Sequence, residues 1–172
     1  MKERWVVIIL LILGISTLSG CISEGTGTLV IKITDAPTTL EISEALVTIS
    51  HVEVHMAGLD GWKTVVKEPQ TFELISLENA HELLGSANLS AGHYTQIRLH
   101  VDNALVTIDN MVYDLRIPSQ KILLNSPFEI KHNQTTVLTL DFDAHQSIRY
   151  QSIHSSKNDR YFMIPTIKVI AE

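Results

Sequence analysis

The chain has 172 residues, of which 45% are hydrophobic, enough for one domain with a real core rather than several. Its formal charge of −6 leaves no basic footprint for nucleic acid, so nucleic-acid partners are excluded. A single cysteine, Cys21, excludes an internal disulfide.

The cysteine sits near the N-terminus. Lys2 and Arg4 give a positive start, and residues 5–13 form an apolar segment too short for a comfortable membrane span. Leu18-Ser19-Gly20-Cys21 closes it with small residues. This pattern predicts a lipoprotein signal over residues 1–20, removed so that Cys21 becomes the lipidated N-terminus. The alternative is an uncleaved N-terminal anchor with an incidental cysteine. Either reading places the domain on the extracytoplasmic side of the cell membrane. Residues 21–27 then read as the lipidated cysteine and a flexible tether, and residues 28–172 as a single domain.

Leu29, Ile31 and Ile33 alternate with polar or exposed positions, predicting a first strand that ends at Asp35-Ala36-Pro37. In residues 45–56 the apolar set is first Val47 and Ile49, then Val52, Val54 and Met56. That change of phase between Ser50 and His51 predicts a bulge or bend, with His51, Glu53 and His55 on the polar face beyond it. Gly58-Leu59-Asp60-Gly61 reads as a turn into a strand over 62–66, and residues 71–74 as another short strand. Leu77, Ala80, Leu83 and Leu84 stand at helical spacing before Gly85, predicting one short helix over 77–84.

The strongest strand signal is in residues 92–101. Gly92 supplies a turn, and Thr95, Ile97, Leu99 and Val101 alternate with Tyr94, Gln96, Arg98 and His100. A tyrosine at the start of such a strand suits a sandwich corner, its ring closing the core and its hydroxyl bonding to backbone. Residues 105–108 read as a separate strand. Asp109-Asn110 is a tight hairpin turn into 111–117, and a short strand follows over 121–124. Phe128 and Ile130, a turn at His132-Asn133-Gln134, and Leu138, Leu140 and Phe142 read as the clearest hairpin of the chain. Residues 155–159 are loop-like. Residues 161–170 form a last strand, which Pro165 confines to an edge or a bulge. Many strands between frequent turns, with one short helix, predict a mainly β protein: an antiparallel β-sandwich with an immunoglobulin-like tyrosine corner.

Several short words fall in order: Gly27-Thr28-Leu29, Thr34-Asp35-Ala36-Pro37, Gly61-Trp62, Gln70-Thr71-Phe72, Tyr94-Thr95-Gln96-Ile97-Arg98-Leu99 and Leu140-Asp141-Phe142-Asp143-Ala144. Together, from about Gly27 to about Val169, they resemble the family called domain of unknown function 4382, exported domains of archaea and bacteria. The Ala91-Gly92-His93-Tyr94 turn also resembles transthyretin-like (prealbumin-like) sandwiches. Ser90 departs from the proline expected there in many members. The resemblance implies a fold and an exported setting, and no reaction.

Candidate chemistry is sparse. Asp141 and Asp143 share one face of a predicted strand, and Asp35 and Asp102 stand at predicted strand ends; together they are candidate oxygen ligands for Ca²⁺, against a plainer role as turn caps. Eight histidines raise a transition-metal reading. His51 and His55, four apart on a strand, are roughly 13 Å from each other and cannot share an ion without a strong bend. Glu53 paired with one of them, helped by another strand, could. His100 reads as a solvated strand residue beside Arg98 and Gln96. His81-Glu82 lacks the second histidine of a zinc-protease helix, since Gly85 stands in its place. No nucleophile elbow, phosphate-cradling loop or dinucleotide fingerprint is found, so no catalytic residues are assigned. Asn88-Leu89-Ser90 and Asn133-Gln134-Thr135 are glycosylation sequons at predicted loops. The reading that follows is a lipid-anchored surface domain acting as a binding or envelope-associated module for a protein or glycan partner, with a divalent-metal-binding surface protein as the alternative.

Overall fold

The computed structural model describes residues 25–36, 42–151 and 160–172, with the side chain of Arg160 left out. Thirteen strands lie in these segments. They are β1 (Thr26–Asp35), β2 (Ile42–Met56), β3 (Trp62–Val66), β4 (Gln70–Glu73), β5 (Glu82–Ser90), β6 (Gly92–Ile108), β7 (Met111–Asp114), β8 (Lys121–Leu124), β9 (Phe128–Ile130), β10 (Thr135–Phe142), β11 (Ile148–Gln151), β12 (Arg160–Met163) and β13 (Ile167–Ala171). A 3-10 turn spans Ile75–Leu77, and a one-turn helix, α1, spans Ala144–Ser147.

The strands form a mainly antiparallel sandwich. One sheet has the order β13-β10-β1-β5, with β1 and β10 parallel; the other is built on β3-β2-β6-β7, with β4 added to β2 and β8 and β9 added to β6. Leu29, Ile31 and Ile33 of β1 and Leu138, Leu140 and Phe142 of β10 share one core with Val47, Ile49, Val52 and Val54 of β2 and Ile97, Leu99 and Val101 of β6. Alternation along each strand explains this: every second side chain of both inner faces is apolar and buried. A small sheet of β11 and β12 joins the large one through Arg116, whose N–H donates to Tyr161 O and whose carbonyl accepts from Met163 N.

The change of phase at Ser50 is a bulge, and it is matched on the partner strand. Thr48 pairs with Asn103, Ile49 with Val101 and His51 with His100, leaving Ser50 and Asp102 each without a partner in the ladder. The two extra residues cancel in register. They also turn residues 92–101 and 105–108, expected as separate strands, into the single long strand β6. Asp102 is therefore inside a strand and not at its end.

A second bulge lies at Thr95, because His55 pairs with Gln96 and Met56 with Tyr94. It moves Tyr94 off the polar face expected from alternation and buries it. The ring stacks on Phe128 at 5.2 Å, and the hydroxyl donates to Ser90 O at 3.0 Å, as a sandwich corner requires. Gly92, with φ of 151°, turns the chain into β6. The Asp109-Asn110 turn has positive φ at both residues, the backbone of a two-residue hairpin.

Three expectations are corrected. Residues 77–84 do not form a helix: after the 3-10 turn the chain enters β5, which pairs Leu83 with Lys32 and Glu82 with Ile33. An isolated two-turn helix is marginal, whereas a strand here satisfies the free edge of β1. Gly85 is not a helix stop but a close approach, since a Cβ there would run into the Val66 side chain. The hairpin read at 128–142 is an arch. Its turn forms, with Asn133 at φ 55°, but β9 pairs with β6 while β10 joins β1 and β13 in the other sheet. The last strand is split at Pro165 into β12 and β13, which belong to different sheets. The loop-like residues 155–159 lie outside the described residues.

Candidate binding face

The outward side of the large sheet gathers three histidines with a glutamate, an arginine and a tryptophan. Beyond the Ser50 bulge, β2 turns Val52 and Val54 inward, so His51, Glu53 and His55 point away from the core. On β6, Ile97 and Leu99 point inward, leaving Gln96, Arg98 and His100 outside. Register does the rest: His51 faces His100, Glu53 faces Arg98, and His55 lies between Gln96 on β6 and Trp62 on β3.

The contacts are specific. Glu53 Oε2 accepts from Arg98 Nη1 at 3.4 Å and from His100 Nε2 at 3.2 Å. Arg98 Cζ stands 3.7 Å from the centroid of the Trp62 ring. The His55 ring packs against Trp62 at 5.2 Å and its Nδ1 meets Thr95 Oγ1 at 3.3 Å. His51 and His100 have ring centroids 5.6 Å apart. The side chains of Arg98, Glu53 and His100 are only 29%, 23% and 23% exposed, so the ion pair is held in a partly desolvated setting. A cation–π contact of this kind contributes about 0.5–2 kcal/mol according to its desolvation. The face therefore presents an aromatic ring, a guanidinium and a carboxylate whose orientations are fixed by one another. Trp and Arg are the side chains that most often carry binding energy at interfaces.

Alternation alone places Glu53 and the histidines on this face. It does not show that Glu53 pairs with His100 of β6, rather than with His51 or His55 on its own strand. Nor does it reveal Trp62 and Arg98 as partners. The signal for them was the hairpin at residues 58–61, which fixes Trp62 opposite His55.

The fold brings Asp35 and Asp143 near each other at the ends of β1 and β10 and places Asp102 in the other sheet. Asp35 ends β1 and is 2% exposed; its Oδ1 accepts from Ala144 N at 2.9 Å, while Oδ2 is buried with no hydrogen-bond partner. Burial, reinforced by the nearby charges of Glu78 and Asp143, pushes its pKa from 3.8 to about 7 against the lowering effect of the Ala144 and Ala36 N–H groups. Asp143 lies past the end of β10 and caps α1, accepting from Gln146 N at 2.8 Å and Gln146 Nε2 at 2.6 Å. Asp141, on β10, is half-buried opposite Thr34 and Lys168. Asp102 is in the other sheet, bonded to Ser50. Among the described residues, no three His, Cys, Asp or Glu side chains converge as metal ligands.

Asn88 is on exposed strand β5 rather than in a loop, and Asn133 is in the β9–β10 turn. Both line one polar cleft of about 220 Å³ with Thr26, Thr28 and Thr135, because Thr28 of β1 pairs with Asn88 on one side and Thr135 on the other. Cys21 and the apolar leader lie outside the described residues. Among the described residues no helix is long and apolar enough to cross a membrane.

Comparison with known proteins adds one match. Residues 26–165 match the family model described as Domain of unknown function (DUF4382). No curated protein and no solved structure matches the chain.

Proposed function

We propose, from the premise that the chain belongs to the DUF4382 family, that it is a binding module held on the extracytoplasmic side of the membrane by lipid at Cys21. The leader sequence supports the anchor: a positive start, an apolar segment and Leu18-Ser19-Gly20 before the lone cysteine. The first strand begins only a few positions after Cys21, so the domain is tethered close to the lipid surface.

The observation that carries the binding role is the Trp62–Arg98–Glu53–His100 array. It is fixed by cross-strand contacts, partly exposed, and serves no core-packing purpose, since the inward residues of the same strands already fill the core. The partner it fits is a protein of the cell envelope with an acidic or hydrogen-bond-accepting group for Arg98 and an apolar group for Trp62.

Cross-linking in intact envelopes tests this. Thr64 pairs with Glu53 at the edge of the face. A photoreactive side chain at Thr64 yields a discrete protein adduct, and Trp62→Ala or Arg98→Ala removes it. A probe at Ser86, on the exposed side of β5 in the other sheet, gives no such adduct. Equal adducts from both positions, or adducts indifferent to Trp62 and Arg98, would overturn the assignment.

A further inference from the structure

We infer that His51 and His100 bind a borderline divalent transition ion, Zn²⁺ or Cu²⁺, with Glu53 orienting His100 from behind. The two histidines are direct cross-strand partners on β2 and β6, and their ring centroids are 5.6 Å apart at an interplanar angle of 59°. A metal-bound imidazole nitrogen sits about 2.0–2.1 Å from the ion, so two rings on one tetrahedral ion have centroids about 5 Å apart. The observed spacing is close to that.

The carboxylate supplies a second, independent indication. Glu53 Oε2 is 3.2 Å from His100 Nε2. A carboxylate only accepts, so in the neutral imidazole the proton sits on Nε2 and Nδ1 of His100 keeps the lone pair that a metal needs. A histidine that donates one ring N–H to a carboxylate and offers the other nitrogen is the usual arrangement of a metal-binding histidine, since the carboxylate fixes the tautomer and raises ligand basicity. Arg98, which also donates to Glu53, holds that carboxylate in place.

The other nearby histidine is not a ligand: His55 is engaged by Thr95 and by the Trp62 ring. The site thus has two protein nitrogens, and water completes the coordination. His51 is exposed, so the ion reaches the pair from solvent. Two neutral nitrogens favour Cu²⁺ and Zn²⁺ over Ca²⁺ or Mg²⁺.

The inference uses the proposed contact face but not its partner or the lipid, so a metal titration tests it separately. Trp62 is the only tryptophan once Trp5 is replaced by Phe, and it lies on the same face. In the detergent-solubilised full chain carrying Trp5→Phe and stripped by chelator, Cu²⁺ quenches Trp62 fluorescence with a stoichiometry of one, and Zn²⁺ competes for the same site. His51→Ala and His100→Ala each weaken binding at least tenfold, whereas His55→Ala does not. Glu53→Gln weakens it by about 10–100-fold through the lost orientation. Circular dichroism of each variant confirms that the sheet is retained, and His51→Ala, at an exposed position, keeps the test open if Glu53→Gln misfolds. Absence of saturable quenching, or quenching unchanged in His51→Ala and His100→Ala, overturns the inference, while leaving partner capture through Trp62 and Arg98 untouched.

Discussion

The Ser50 hydroxyl donates to Asp102 Oδ1 at 2.7 Å, joining the two extra residues of β2 and β6 across the large sheet. Each bulge alone would shift the ladder by one residue; together they restore it. This pair decides which side chains of both strands face outward, and so it builds the candidate face. Deleting Ser50 leaves plain alternation from Ile49 through His51 to Val52, so the faces are kept, but the extra residue Asp102 on β6 is then unmatched and the β2–β6 ladder slips by one residue on one side of it, which destabilises the domain. Ser50→Ala keeps the residue count and loses only the hydrogen bond, costing about 1–2 kcal/mol in denaturant unfolding.

Asp35 makes stability depend on pH. Its carboxyl ionises at about 7 in the fold against 3.8 in the ordinary state, so folding favours the protonated acid. The contribution is fully present below about pH 3.8, falls as pH rises, and is lost above about 7. Asp35→Asn keeps an acceptor for Ala144 N and removes the charge. Unfolding curves between pH 4 and 9 are predicted to show this decline in the wild type and its disappearance in Asp35→Asn, which is the more stable of the two above pH 7. Parallel curves would show that Asp35 is not the group responsible.

The corner tyrosine separates two contributions. Tyr94→Phe removes the bond to Ser90 O and retains the stack on Phe128, at a cost of about 1 kcal/mol. Tyr94→Ala removes both and opens a cavity, at a cost of about 3–5 kcal/mol. Chemical denaturation of the two variants checks the order.

Leu83 and Leu84 distinguish the strand from the helix that their spacing suggested. Leu84 is fully buried, and Leu83 is 61% exposed. Leu84→Ala is expected to cost about 2–5 kcal/mol, whereas Leu83→Lys changes stability by less than about 0.5 kcal/mol. A helix burying both would make the two substitutions similar in cost.

Much of the architecture is legible in the chain because alternation reports which face of a strand is buried. The Ser50 phase change, the Tyr94 corner and the Asp109-Asn110 turn are all local signals, and the structure contains each of them. What failed was non-local. Residues 82–90 become a strand because β1 has an open edge, which no window of local sequence contains. Phe128 and Ile130 part from Leu138 and Leu140 because a turn fixes direction but not which sheet receives the next strand. The bulge at Asp102 reads as a strand end because its partner, Ser50, is 52 residues away in sequence. For the same reason the histidines and Glu53 were visible as a face, but the Glu53–His100 and Arg98–Trp62 contacts were not.

The anchor has its own test. The proposed anchor predicts that the full chain partitions into the detergent phase, that mass spectrometry finds a lipid-modified N-terminus at Cys21, and that Cys21→Ser loses the modification. An unmodified cysteine in a chain that retains residues 1–20 would instead indicate an uncleaved anchor.

The central claim, that the outward face of β2, β3 and β6 is a binding site rather than part of the scaffold, is tested most directly by setting stability against capture. Trp62→Ala with Arg98→Ala removes the partly exposed cation–π pair and is expected to lower the unfolding free energy by only about 1–2 kcal/mol. The account predicts that this folded double variant loses partner capture in envelope cross-linking from Thr64 by more than tenfold. Capture retained at the wild-type level by the folded variant would contradict it.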